Sequence, residues 1–132
     1  FIAPRPRVAL GQALAGIASA AIDVSDGLVA DAGHIARGSG VAIALQSSAC
    51  RPSARLRHWL GDTAARQTLL AGGDDYELCF TAPAAADAAV LQAARASRTP
   101  VRCIGAVRAG AGVWLDGEAL TADTAGYRHF SD

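Results

Sequence analysis

Apolar residues along this chain recur with two different periods. Val8, Leu10, Leu14 and Ile17 fall near the spacing of one helical face, which predicts a short helix over 8–17. Residues 20–24 form a brief apolar run that breaks off at a polar cluster, the pattern of a buried strand. From 26 to 37, Leu28, Ala32, Ile35 and Ala36 share a face, and Gly38-Ser39-Gly40 ends the helix. A strand follows at 41–45. Residues 46–61 are a polar, proline-containing connection with a short helix near 56–60, and 63–71 is an amphipathic helix stopped by Gly72-Gly73. Residues 76–81 read as a strand. Pro83 opens a helix that runs to about 96, because proline suits a first helical turn. A strand is predicted at 101–107. The runs 113–115 and 118–120 flank Asp116-Gly117, a two-residue hairpin signal. Residues 121–132 have little periodicity but carry Tyr127, His129 and Phe130. Helices and strands intermix and one hairpin is antiparallel. The fold class is therefore α+β: a layered mixed or antiparallel sheet packed with helices.

Composition narrows the function classes. With 132 residues the chain is one domain's length, 1–132. It carries 12 basic residues, all Arg, against 12 acidic ones. Zero net charge argues against general nucleic-acid binding, which needs excess positive charge to displace counterions. No apolar run approaches the ~18–20 residues of a membrane span. Cys50, Cys79 and Cys103 are an odd count without CxxC spacing, so neither a disulfide framework nor a zinc signature is implied. Cys79 and Cys103 lie in apolar runs, and the expectation is buried, reduced thiols, which fits the cytoplasm. The chain contains no Met and starts at Phe1, which reads as a processed product or a piece of something longer.

The first chemical constellation is Ile22-Asp23-Val24-Ser25-Asp26-Gly27-Leu28, where a strand is predicted to run into a helix. Gly27 allows another group to approach the backbone. A helix start offers unpaired N–H groups and partial positive charge, which suit phosphate oxygens. Two carboxylates beside a phosphate need a counter-charge, and a hard oxygen-seeking ion such as Mg²⁺ supplies it. The plainer alternative is capping, since Asp and Ser are the usual N-cap residues; two carboxylates, a hydroxyl and a glycine exceed what a cap requires.

The second constellation is Gly72-Gly73-Asp74-Asp75-Tyr76-Glu77-Leu78. Three acids within four residues repel one another, by ~1 kcal/mol at contact in high dielectric. An Arg, a metal or a cationic ligand should compensate. The alternative is a solvated Gly-Asp turn leading into an edge strand. His34, three residues after Asp31, reads as a helix-face Asp–His contact rather than a ligand, and His58 as exposed beside Trp59.

Together these segments resemble the C-terminal domain of the thiamine-monophosphate kinase family, nearly end to end. The resemblance is carried by Arg5-Pro6-Arg7-Val8 with Gly11, by 22–28, by His34-Ile35 with Ser39-Gly40-Val41, and by 71–81. Pro100-Val101, Ile104-Gly105 and Gly126-Tyr127-Arg128-His129-Phe130 complete it. The fold it implies is that of the C-terminal domain in the aminoimidazole ribonucleotide synthetase-like superfamily. The implied reaction moves the γ-phosphoryl group of ATP to thiamine monophosphate, giving thiamine diphosphate. It needs Mg²⁺ and no covalent enzyme intermediate, so no residue is assigned as a covalent catalyst.

The resemblance also implies residue roles. Asp23 and Asp26 are magnesium ligands, and Ser25 contacts ATP. Asp74 stands at the substrate, where the family more often has the longer Glu. Tyr127 packs on the thiamine ring system, an arrangement suited to a cationic ring. Implied partners are an N-terminal domain of the same protein, with further metal ligands and ATP contacts, and a homodimer when full length. Nucleic acid and membrane are not among them. The chain alone would then not be competent. Two other readings stay open: a domain of another ATP-dependent enzyme of the same superfamily, and a non-catalytic binding or assembly module with the same fold.

Overall fold

Helix α2, Leu28–Ser39, is buried along the stripe Val29, Ala32, Ile35 and Ala36, the face its apolar spacing marks out. That stripe packs on Ile43 and Leu45 of strand β2, Ala42–Leu45, and on Val113 of strand β5, Gly112–Leu115. Burying each of the larger side chains, Val29, Ile35, Ile43, Leu45 and Val113, contributes about 1.5–3 kcal/mol. The computed structural model describes residues 5–72 and 77–120.

β2 is central in a four-stranded sheet. It pairs antiparallel with β4, Gly105–Arg108, and parallel with β5, which in turn pairs antiparallel with β6, Glu118–Ala119. Asp116 and Gly117 join β5 to β6 with φ of 51° and 86°. Positive φ at both turn residues is what a type I′ hairpin requires, and Asp-Gly tolerates it. The mixed sheet is thus as the sequence predicts, with β2 inserted between the consecutive strands β4 and β5.

A second sheet has two antiparallel strands, β1, Ala20–Asp23, and β3, Leu78–Thr81. Side chains alternate across β3. Leu78 and Phe80 meet Leu10 of α1, Val8–Ala13, with Leu14 just beyond it, and Ala93 of α5, Asp87–Ala96. Cys79 points the other way, to the cluster that includes α2. Helices α3, Ala54–Leu60, and α4, Asp62–Ala71, follow β2, and Leu69 and Leu70 of α4 pack against Val24, Leu28 and Cys50. α3 is capped by the Ser53 hydroxyl, which accepts from the Leu56 N–H at 3.1 Å.

Several expectations shift, and the helix predicted over 8–17 ends at Ala13. α2 starts two residues later than 26, because Gly27 has φ 113°, outside helical space, and ends two later, at Ser39, followed by Gly40 with left-handed φ 65°. The segment from Pro83 splits into a 3₁₀ turn, Ala84–Ala86, followed by α5. The strand predicted at 101–107 begins only at Gly105. Cys103 lies in that irregular lead-in and is exposed, contrary to the buried thiol expected; its Sγ donates to the Gly105 carbonyl at 3.4 Å. Cys50 is buried and Cys79 half-buried. His58 and Trp59 are exposed as expected. Among the described residues no helix is long and apolar enough to cross a membrane.

Candidate functional site

The register of β1 and β3 brings the two acidic segments to one end of their sheet. Asp23, the last residue of β1, lies opposite Leu78, the first of β3. One residue on, the Val24 N–H donates to the Glu77 carbonyl at 2.8 Å. Val24 is buried beside Leu28 and Cys50 and anchors the chain. Asp23 before it is exposed, and Ser25 and Asp26 after it form a half-buried bend.

A close backbone approach joins the same two segments. Gly27 is buried, and a β-carbon there would lie 2.9 Å from the carbonyl carbon of Ala71, at the end of α4. Only glycine fits that contact together with φ 113°. The bend at 25–27 therefore abuts the point where the chain leaves α4 through Gly72. Residues 73–76 follow there and lie outside the described set, as does 121–132. The sites expected at Asp74 and Tyr127 are thus outside the described residues, while Asp23, Ser25 and Asp26 share one strand-to-helix junction.

The geometry settles how that junction is held. The N-cap position of α2 is Gly27, which has no side chain to accept a first-turn N–H. The bond runs in the opposite direction. Asp31, in the first turn of α2 and 2% exposed, accepts the Ser25 N–H at 2.8 Å and the Asp26 N–H at 3.0 Å, both on Oδ2. The two bonds offset the cost of burying a carboxylate.

Glu77, the described acid of the second segment, pairs with the cation Arg7. Its Nε donates to Glu77 Oε2 at 2.9 Å and its Nη2 to Oε1 at 2.8 Å, and this bond raises the Arg7 pKa above its ordinary value. Behind the site, burial, then the Asp31 charge, pushes the Cys79 thiol up to about 11.

Asp26, Asp31 and His34 each place one ligand-type atom within 4.8 Å of the others. Asp26 offers hard oxygens that suit Mg²⁺. His34 does not fit such an ion, being an imidazole, and its Nδ1 lies 2.8 Å from Arg37 Nη2. On the helix face His34 hydrogen-bonds Arg37, one turn on, and also lies within 4.8 Å of the Asp31 carboxylate, the neighbour expected from spacing. Asp31 Oδ2 is engaged by two backbone N–H groups, and Asp23 is not in this group. The carboxylates and hydroxyl of 23–26 fit a magnesium–phosphate site by donor chemistry.

Sequence reasoning passed over Asp31 as the residue that shapes the bend. The available signal was an acid in the first turn of α2, five residues after Asp26, on the face of Leu28, Ala32 and Ile35.

The sequence profile of the AIR synthase related protein C-terminal domain matches residues 3–116. The chain is 42% identical to the thiamine-monophosphate kinase of Salmonella typhimurium over 131 residues, covering 97% of this chain and 40% of the relative. It is 39% identical to that of Escherichia coli with the same coverage. The crystal structure of thiamine-monophosphate kinase from Stenotrophomonas maltophilia superposes with a TM-score of 0.85 at 49% identity, over 89% of this chain and 37% of that one. AaThiL complexed with AMPPCP and TMP superposes with a TM-score of 0.75 at 32% identity, over 94% and 38%. The chain spans about 40% of the length of the curated relatives it matches.

Proposed function

This chain belongs to the AIR synthase related protein family, matching its C-terminal domain, and on that premise we propose that it is the C-terminal part of a thiamine-monophosphate kinase. The γ-phosphorus of ATP gains a bond to a phosphate oxygen of thiamine monophosphate and loses its bond to the β–γ bridging oxygen. The products are thiamine diphosphate and ADP. The observation that carries the reading is the junction of Asp23, Ser25 and Asp26, locked against the end of α4 by Gly27 and Ala71. The likeness to AaThiL complexed with AMPPCP and TMP supports both substrates.

The chemistry asks for positioning and charge neutralisation rather than a protein nucleophile. Asp26 and Asp23 would hold Mg²⁺, which when bound offsets the negative charge gathered between phosphates and carboxylates. Ser25 offers its hydroxyl to an ATP phosphate oxygen. Asp74 and Tyr127 line the thiamine monophosphate side, Tyr127 by lying against the thiamine ring. The remaining metal ligands and ATP contacts come from an N-terminal domain, the kinase is a cytoplasmic homodimer, and the 132-residue chain alone does not turn over.

The test is Asp26→Asn in the full-length kinase. The expected result is a loss of activity of ~10²-fold or more with the melting temperature near wild type, since Asn keeps the size and shape of the side chain in the bend and removes only its charge. A parallel fall of activity and stability would instead assign Asp26 to holding the fold. Wild-type protein without ATP-dependent formation of thiamine diphosphate overturns the assignment altogether.

A further inference from the structure

The hydrogen bonds at the start of α2 run the wrong way for a cap. An ordinary cap has a side chain before the helix accepting N–H groups of the first turn. Here the residue before the helix is Gly27, which has no side chain, and the acid in the first turn reaches back onto the chain that precedes it. An acid placed only to favour the helix dipole would do so from the surface, where its charge stays hydrated. Asp31 is instead 2% exposed, among the most buried polar side chains described. Burying a carboxylate costs several kcal/mol unless it is hydrogen-bonded. Its Oδ2 accepts from two consecutive N–H groups, those of Ser25 and Asp26. The contrast is Asp116, whose carboxylate also takes an N–H and a hydroxyl, both from Ser47, but at an exposed hairpin.

Two consecutive N–H groups converging on one oxygen fix the peptide planes on both sides of Ser25 and leave little freedom in its backbone. The side chains that follow from those planes are the Ser25 hydroxyl and the Asp26 carboxylate. Gly27 closes the other side of the bend against Ala71. We propose that Asp31 is a positioning residue: it touches no substrate, and it sets the orientation of Ser25 and Asp26 toward the nucleotide and metal by holding their backbone N–H groups. The proposal rests on the kinase reading for its catalytic consequence, but its structural half stands independently of it.

Two variants and two measurements test it. Asp31→Ala removes both bonds. Asp31→Asn keeps an oxygen acceptor of the same reach but removes its charge, and neutral acceptors are about half as strong. In the 132-residue chain, amide hydrogen exchange at Ser25 and Asp26 should speed up in the order wild type, Asn, Ala, while the β1 amide of Ile22 keeps its protection. In the full-length kinase, kcat should fall in the same order, by ~10²-fold for Ala, with the KM for thiamine monophosphate little changed. Unaltered exchange at Ser25 and Asp26 in either folded variant overturns the proposal, as does an unaltered kcat in folded Asp31→Ala. Should the Ala variant fail to fold, Asp31→Asn decides alone: faster exchange at the two amides with lowered kcat supports positioning, and wild-type values for both reject it. An inactive wild-type enzyme would sink the kinase reading, while the exchange data would still decide whether Asp31 holds the bend.

Discussion

Gly27 and Ala71 are 44 residues apart in sequence and meet backbone to backbone, with no room for a β-carbon between them. The contact joins the bend before α2 to the end of α4, and so joins the two acidic segments that the sequence presents separately. Substitution of Gly27 by Ala meets two penalties at once, a strained φ of 113° and a collision with the Ala71 peptide. The expected destabilisation is roughly 2–4 kcal/mol, read as a shift in the urea midpoint. A change under about 0.5 kcal/mol would mean that the approach is not needed.

Arg7 and Glu77 make the second link, between the segment ahead of α1 and the lead-in to β3. Their side chains are 29% and 52% exposed, so solvent screens the pair despite its two-bond geometry. Exposed pairs contribute about 0.2–1 kcal/mol. A double-mutant cycle with Arg7→Ala and Glu77→Ala should give a coupling energy in that range at low salt. The coupling should shrink toward zero in about 1 M salt, where the Debye length is near 3 Å. A coupling unmoved by salt would point to packing rather than charge.

The cysteines should separate by reactivity. Cys103 is exposed, whereas Cys50 is buried and the Cys79 thiol is pushed up to about 11 from an ordinary 9.0. With iodoacetamide near pH 8, mass mapping should find Cys103 alkylated first and Cys79 and Cys50 only on unfolding, because the thiolate is the nucleophile. The same shift has a sign for stability. A folded pKa above the unfolded one gives a contribution that is complete below about pH 9 and lost as pH rises toward about 11. Part of any alkaline loss of stability over that window should disappear in Cys79→Ala.

Much of the fold could be read from local pattern. The periods of α2, β2, α4 and the β5–β6 hairpin lie in side-chain spacing and in Asp116-Gly117, and each of these elements forms within a few residues of its predicted place. Where the pattern misled, neighbours far along the chain decided. The apolar run containing Cys103 stays irregular until Gly105, where β4 joins β2, so this thiol faces solvent. The start of α2 is displaced by Asp31 and Gly27, whose roles depend on what they meet.

The candidate site divides in the same way. The sequence by itself determined which groups are available, namely the Asp23, Ser25 and Asp26 cluster and a second glycine-acid segment, because chemistry follows from residue identity and spacing. It also carried the family likeness through the order of its motifs. Only the tertiary structure decided that the two segments share one end of the β1–β3 pair. Strand register, the Gly27–Ala71 approach and the Arg7–Glu77 bridge all link residues tens of positions apart. The turn before α2 offered the sequence two roles for Ser25 and Asp26, cap or ligand. Tertiary structure put Gly27 at the N-cap position and gave the Ser25 and Asp26 N–H groups a further role, donating to the buried Asp31 oxygen.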